Sequence, residues 1–358
     1  MKPEDVEKLF EGIPRKIICF LPTPLHKLEN MSKKYGVAIY MKRDDLTGPS
    51  PFGGNKTRKL EFIVGSALQD NIEYLISLGG YQSNSSVQIV SFCRICGLKP
   101  ILYLADVINQ GIPKEHKGNL LLNKIMGSEI NYVLKDHEGP DINPLWNKMI
   151  ELCHKRKVEL ESQGHKVRVL PSGVVDPEGL VAYVLAFKEI VEQADVLNVK
   201  FDYLYHTTGT GGSLPGMIAG KILLESAMKI ISITCNPYGP DEICNEAMVC
   251  DRVESVFKKL NLKVPGRDLI FKEVNIDQNY FGEGYGIPTE EATLAIRELA
   301  LEEGLFVDPV YTGKGLSGLL SHIRKGKIPR GSKVVFLHTG GSGALFSEEG
   351  LTGALAEE

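Results

Sequence analysis

Gly53-Gly54-Asn55-Lys56-Thr57-Arg58-Lys59 joins two patterns whose meeting decides the fold. Upstream, Val37 to Met41 is a short apolar run that reads as a strand. Downstream, Leu60, Ile63, Val64, Ala67 and Leu68 recur at helical spacing, so the segment from Thr57 to about Asp70 reads as a helix. Two glycines let the backbone between them turn sharply and approach a bound molecule. Lys56 then lies at a helix mouth, where the positive end of the dipole and any burial both favour its neutral, nucleophilic amine. Arg58 and Lys59 read as structural charges of the first turns.

The same grammar recurs along the chain. Strands are expected at Tyr74–Leu78, Pro100–Leu104, Glu129–Leu134, His165–Leu170, Phe201–His206, Lys229–Cys235, Leu269–Val274 and Lys333–His338. Between them, helices are expected from about Ser83 to Cys96, Lys117 to Met126, Ile142 to Gln163, Pro177 to Leu197, Gly212 to Met228 and Asp241 to Leu260. Two more follow, from Thr289 to Glu303 and from Lys314 to Lys325. Such alternation predicts an α/β protein with open, mostly parallel sheets and flanking helices. The glycines at 53–54, 79–80, 209–212, 313 and 340–341 each follow a strand or open a helix, the edge of a parallel sheet where ligands bind.

At 358 residues the chain is long enough for two domains. Hydrophobic residues are 43% and charged residues 24%, and a net charge of −4 is spread over interspersed signs, which argues against nucleic acid as a partner. No apolar run approaches a membrane span and the first ten residues have no signal pattern, so a cytoplasmic protein with no membrane partner is expected. Seven scattered cysteines form no disulfide framework, and Cys93 and Cys96 sit in an apolar helical pattern as packing residues. No metal is expected.

Thr207-Thr208-Gly209-Thr210-Gly211-Gly212-Ser213 follows a strand and opens a helix, presenting backbone N–H groups and hydroxyls to an anion. A dinucleotide fingerprint fails at Leu214, where glycine is needed, which weighs against a nicotinamide dehydrogenase, and no Walker lysine follows. A single-phosphate cradle together with a reactive lysine suggests pyridoxal 5'-phosphate.

Four motifs then stand in register: Gly53 through Glu61, Gly80-Tyr81-Gln82-Ser83-Asn84, Gly284-Tyr285-Gly286-Ile287-Pro288 and Asp308-Pro309-Val310-Tyr311-Thr312-Gly313-Lys314. From about Pro22 to Phe346 the chain resembles the D-cysteine desulfhydrase and 1-aminocyclopropane-1-carboxylate deaminase family. These are pyridoxal-phosphate enzymes of fold type II, similar to the tryptophan synthase β chain. The resemblance implies a larger cofactor-binding domain of residues 1–52 and 167–358 and a smaller one of 53–166, in a homodimer. By it Lys56 is the Schiff-base lysine, Asn84 meets the cofactor's 3-oxygen, and Thr208, Gly209, Thr210, Gly211, Gly212 and Ser213 hold the phosphate. Ser83 faces a small amino-acid substrate, with Gln82 and Asn84 beside it, and Tyr285 and Tyr311 flank the ring and leaving group.

Two positions separate the branches of that family. Its deaminases carry glutamate after the second tyrosine and leucine before the last Gly-Gly, whereas its desulfhydrases carry hydroxyls, as Thr312 and Thr339 do here. A hydroxyl rather than a carboxylate at the ring nitrogen makes a weaker electron sink, sufficient for β-elimination. The reading is therefore a D-cysteine desulfhydrase-like lyase. Its alternatives are the deaminase reaction, a cysteate sulfo-lyase and a non-catalytic cofactor-binding protein. The chain departs from the family at Ser85-Ser86-Val87, where histidine and then arginine are usual, and at Tyr81, which replaces a small aliphatic residue.

Overall fold

The computed structural model describes residues 1–50, 52–105, 107, 111–135, 143–236, 244–347 and 352–356. Its strands are β1 (Leu25–Lys27), β2 (Ala38–Arg43), β3 (Tyr74–Gly80), β4 (Lys99–Ala105), β5 (Glu129–Val133), β6 (Val167–Val169), β7 (Tyr203–Thr208), β8 (Lys229–Thr234), β9 (Ile276–Asp277) and β10 (Lys333–His338). They form a six-stranded sheet in the order β1-β2-β10-β7-β8-β9 and a four-stranded sheet in the order β5-β4-β3-β6. Every pairing is parallel except β1 with β2. The expected α/β fold with two mostly parallel sheets is therefore present.

Alternation of side chains along each strand distributes the cores. Along β10, Val335 and Leu337 pack under the helices Ala182–Val196, Leu214–Leu223 and Glu246–Lys259, while Val334 and Phe336 face the helices Glu290–Glu303 and Thr312–Arg324. In the smaller sheet, Leu75 of β3 joins Leu60, Ile63, Ile89 and Phe92 of the helices Asn55–Gln69 and Asn84–Cys96. Ile76 and Leu78 turn to the helix Asn143–Ser162 on the other face. Cys93 lies in the first of these cores, and all seven thiols are free.

Three expectations change. Leu269–Val274 is not a strand: Arg267–Glu273 is a short helix in which Ile270 is buried while Leu269 and Phe271 are exposed. Exposed Leu269, buried Ile270 and exposed Phe271 would suit a strand's alternation equally well, so the side-chain pattern does not separate the two. The sheet edge falls to β9 instead, paired with Ser232 and Ile233. The helix expected at Pro177–Leu197 is two, Pro177–Leu180 and Ala182–Val196. The helix expected from Gly212 begins at Leu214, with Pro215 in its first turn. The expected starts at Ile142 and Asp241 lie outside the described residues. Among those described, no helix is long and apolar enough to cross a membrane.

Candidate active site

The carboxyl ends of both sheets meet at the glycine loops. Gly53 and Gly54 take φ of 49° and 122°, conformations that suit glycine. A Cβ on Gly340 would lie 2.7 Å from the Gly54 Cα, so two loops pack backbone on backbone, joined by Asn55 N–H donating to Thr339 O at 3.0 Å. Gln88, from the helix Asn84–Cys96, adds a hydrogen bond from Nε2 to Gly53 O at 2.6 Å. Lys56 thus sits on the first turn of its helix, fixed from three directions. Burial pushes its pKa down, against the pull of Cys235 and Asp308. Its amine lies 5.4 Å from the Tyr311 ring centroid, and no ion pair or hydrogen bond engages it among the described residues.

The loop Thr208–Ser213 closes on the same place. Asn55 Nδ2 donates to Ser213 Oγ at 3.1 Å, and a Cβ on Gly209 would lie 3.6 Å from the Tyr311 ring. Two cations not foreseen from the sequence complete it. Lys59 is buried, donates to Gly173 O at 2.8 Å, and would lie 2.6 Å from a Cβ on Gly212. Arg252 donates to Thr210 O at 2.7 Å. Burial, then the charges of Lys56 and Arg252, hold Lys59 well below the usual ammonium range. Neither Lys59, Arg252 nor Lys56 has a carboxylate ion-pair partner among the described residues. A buried amine and two half-buried basic groups, none in an ion pair with a carboxylate, beside the backbone N–H groups of a helix start, make surroundings that favour an anion. Lys59 thus differs in surroundings from Arg58, which is ion-paired to Asp44 and Glu189.

Residues 19–340 match the family described as "Pyridoxal-phosphate dependent enzyme". The chain belongs to that family. It is 34% identical to a 1-aminocyclopropane-1-carboxylate deaminase of Bradyrhizobium diazoefficiens, over 94% of this chain and 97% of that protein. It is 32% identical to one of Variovorax paradoxus, over 93% and 95%. A crystal structure of an ACC deaminase homologue superposes with a TM-score of 0.83 at 32% identity, covering 97% of each chain. The crystal structure of a T.th. threonine deaminase shares the fold, with a TM-score of 0.61 at 17% identity over 95% of this chain and 98% of that one. This is a fold type II pyridoxal-phosphate enzyme, and a nicotinamide dehydrogenase is set aside.

The residues fit this enzyme's cofactor. When bound, pyridoxal phosphate supplies a carbonyl carbon that condenses with amines and a ring that accepts an electron pair. Lys56 would hold it covalently, and Lys59, Arg252 and the Thr208–Ser213 loop would hold its phosphate. Asn55 Oδ1, Ser86 Oγ and Gln88 Oε1, on the elements that rim the cleft, are buried without a protein partner.

On the smaller-sheet side, Ser83 caps the helix Asn84–Cys96 by accepting from Ser86 N–H at 3.3 Å, and its hydroxyl meets that of Ser85 at 2.8 Å. Ser85 thus sets a second buried hydroxyl beside Ser83. On the opposite wall, Tyr285 and Tyr311 share a hydrogen bond between their hydroxyls. Burial pushes both phenols up, so each stays protonated at neutral pH. Lys314 anchors the Tyr285 loop by donating to Phe281 O and Gly284 O at 2.8 and 2.9 Å.

The two discriminating threonines are unlike. Thr312 donates its hydroxyl proton to Asp308 Oδ1 at 2.5 Å and accepts from Asp308 N–H, so its proton is committed. Asp308 also accepts from the N–H groups of Val310, Tyr311 and Thr312, fixing that turn. The Thr339 hydroxyl has no protein partner among the described residues.

Proposed function

We propose that this enzyme is a lyase that breaks a bond at the β-carbon of a small amino acid and releases ammonia and a 2-keto acid. The carrying observation is Lys56, an unpaired amine shifted toward neutrality, between a dianion site and a pair of protonated tyrosines. For a β-substituted substrate such as D-cysteine, Lys56 Nζ takes the α-proton and the C–S bond breaks. Tyr285 or Tyr311 gives a proton to the departing sulfur, so sulfide leaves, and the aminoacrylate takes up water to give pyruvate and ammonia.

Two substrate readings each have support. Ring opening of 1-aminocyclopropane-1-carboxylate draws on the names of the full-length relatives, and on that ground it now leads over the D-cysteine reaction favoured from the sequence. β-Elimination rests on Thr312 and Thr339, hydroxyl residues where the resemblance gives the deaminases a glutamate and a leucine. Assays of 2-oxobutanoate from the cyclopropane substrate, and of pyruvate from D-cysteine and L-cysteate, decide between them. Activity on the cyclopropane substrate alone removes the threonine argument; activity on D-cysteine alone shows that the hydroxyls outweigh the relatives. In either case Lys56→Ala is expected to abolish turnover and the visible absorbance of bound cofactor, and product formation retained in that variant contradicts the proposal. We also propose a homodimer, with the exposed, stacked rings of Phe52 and Phe346 in the contact, to be read as a two-chain mass by light scattering.

A further inference from the structure

A chain of three amides runs into the cleft from the smaller sheet, and its direction is set by backbone groups that cannot reverse. Asn119 lies in the helix Gly118–Ile125 and is 1% exposed. Its backbone N–H donates to Gln82 Oε1 at 2.9 Å, which fixes which end of the Gln82 amide is oxygen; Gln82 Nε2 accordingly donates to Lys117 O at 3.2 Å. The Gln82 backbone carbonyl accepts from Asn119 Nδ2 at 3.0 Å, which fixes the Asn119 amide in turn. That same Nδ2 donates to Asn84 Oδ1 at 2.8 Å. A carbonyl only accepts and a backbone N–H only donates, so neither Gln82 nor Asn119 can be flipped without setting two like groups against each other.

The consequence falls on Asn84. With Oδ1 held by Asn119, its other end is a donor, and Nδ2 has no protein partner among the described residues although the residue is only 8% exposed. An amide N–H2 without a protein partner just past the end of β3 is free to donate to a bound group. Gly343 supports the arrangement from the other sheet: a Cβ there would collide with Asn119 Oδ1, so the Ser342–Phe346 turn presses directly on the relay.

We infer that Asn119 is a positioning residue that fixes the polarity of the Asn84 amide, so that Asn84 presents an N–H and not a carbonyl oxygen to the ring oxygen of the cofactor. This rests on the reading above, in which the cleft holds pyridoxal phosphate on Lys56 with Asn84 at that oxygen. A donor facing the ring oxygen stabilises it as an anion, the visible-absorbing form. An acceptor in the same place favours the protonated ring hydroxyl, which absorbs in the near ultraviolet.

The test is the absorbance spectrum of the cofactor-loaded protein at fixed pH, with no substrate present. Asn119→Asp replaces the donor by an acceptor, drawing Asn84 Nδ2 toward position 119 and turning Oδ1 to the cofactor. The near-ultraviolet form is expected to rise relative to the visible form by about tenfold, the scale of a hydrogen bond to a charged group. In an Asn84→Ala background the same substitution is expected to change the ratio by less than about twofold, because sites that no longer share a partner act independently. Should Asn119→Asp not fold, Asn119→Ala frees the amide without reversing it and is expected to move the ratio in the same direction by a smaller amount. An unchanged ratio with Asn84 present overturns the inference, as does an equal shift in the Asn84→Ala background, which would be a field effect of the new charge. A wild-type protein that gives no visible band, or a Lys56→Ala protein that keeps it, overturns the cofactor reading itself and is distinguishable from both.

Discussion

Arg58 and Lys59 are neighbours on one helix, both buried, and their surroundings are opposite. Arg58 closes a circuit: it donates to Asp44 at 2.9 and 2.7 Å and to Glu189 at 2.9 and 3.0 Å, and to the Thr23 hydroxyl at 3.1 Å. Lys42 joins Glu189 and reaches Thr23 O at 2.7 Å, and the Tyr183 hydroxyl donates to Asp44 at 2.9 Å. Lys59, one residue on, meets a glycine loop and a carbonyl and makes no ion pair among the described residues; the charges of Lys56 and Arg252 act on it against that of Asp176. Interior charge that is matched on the spot serves the fold; basic groups left without an ion pair favour an anion beside them, as the proposed phosphate site requires.

The comparison breaks most severely at Arg58. Arg58→Leu leaves Asp44 and Glu189 without their cation, and a loss of about 3–5 kcal/mol in urea-unfolding stability is expected, or failure to fold. A variant within about 1 kcal/mol of wild type would show that the circuit holds nothing. A smaller effect comes from acid. Burial alone would raise the Glu189 pKa, but the hydrogen bonds and charges of Arg58 and Lys42 draw it from 4.5 down to about 2. A carboxylate depressed in the folded state contributes stability that is complete above its ordinary range and is lost as pH falls through it. Unfolding free energy is expected to decline between roughly pH 4.5 and pH 2, and Glu189→Gln should flatten that segment. A decline of equal steepness in the variant would assign the acid sensitivity elsewhere.

The sheets and most helices were legible because their signal is local: apolar runs of strand length alternating with helical periodicity. Leu269–Val274 failed for the same reason in reverse, since three apolar residues in a row look alike in a strand and in a single turn of helix. The glycine loops and Lys56 were legible through their motifs. The burial of Lys59 has no such signal, because a lysine on a first turn is ordinarily solvated and nothing local to it says that Gly212 lies alongside. Arg252 and Asn119 carry no local signal at all. Each is a polar residue in an amphipathic helix, and its role exists only once remote loops have been brought against it.

Lys59→Met should leave the cofactor-free protein at least as stable as wild type, because it replaces a buried amine that makes no ion pair among the described residues by an apolar chain. That variant makes the most direct measurement of the central claim, that the unmatched cations form the cofactor's phosphate site. Visible absorbance is followed as cofactor-free wild type and Lys59→Met are titrated with pyridoxal 5'-phosphate and with pyridoxal, which lacks the phosphate. The account predicts that wild type prefers the phosphorylated compound by at least about a hundredfold, and that Lys59→Met loses roughly tenfold to a hundredfold of affinity for it while its affinity for pyridoxal is unchanged. Equal affinity of wild type for the two compounds, or an equal loss for both in the variant, would contradict it.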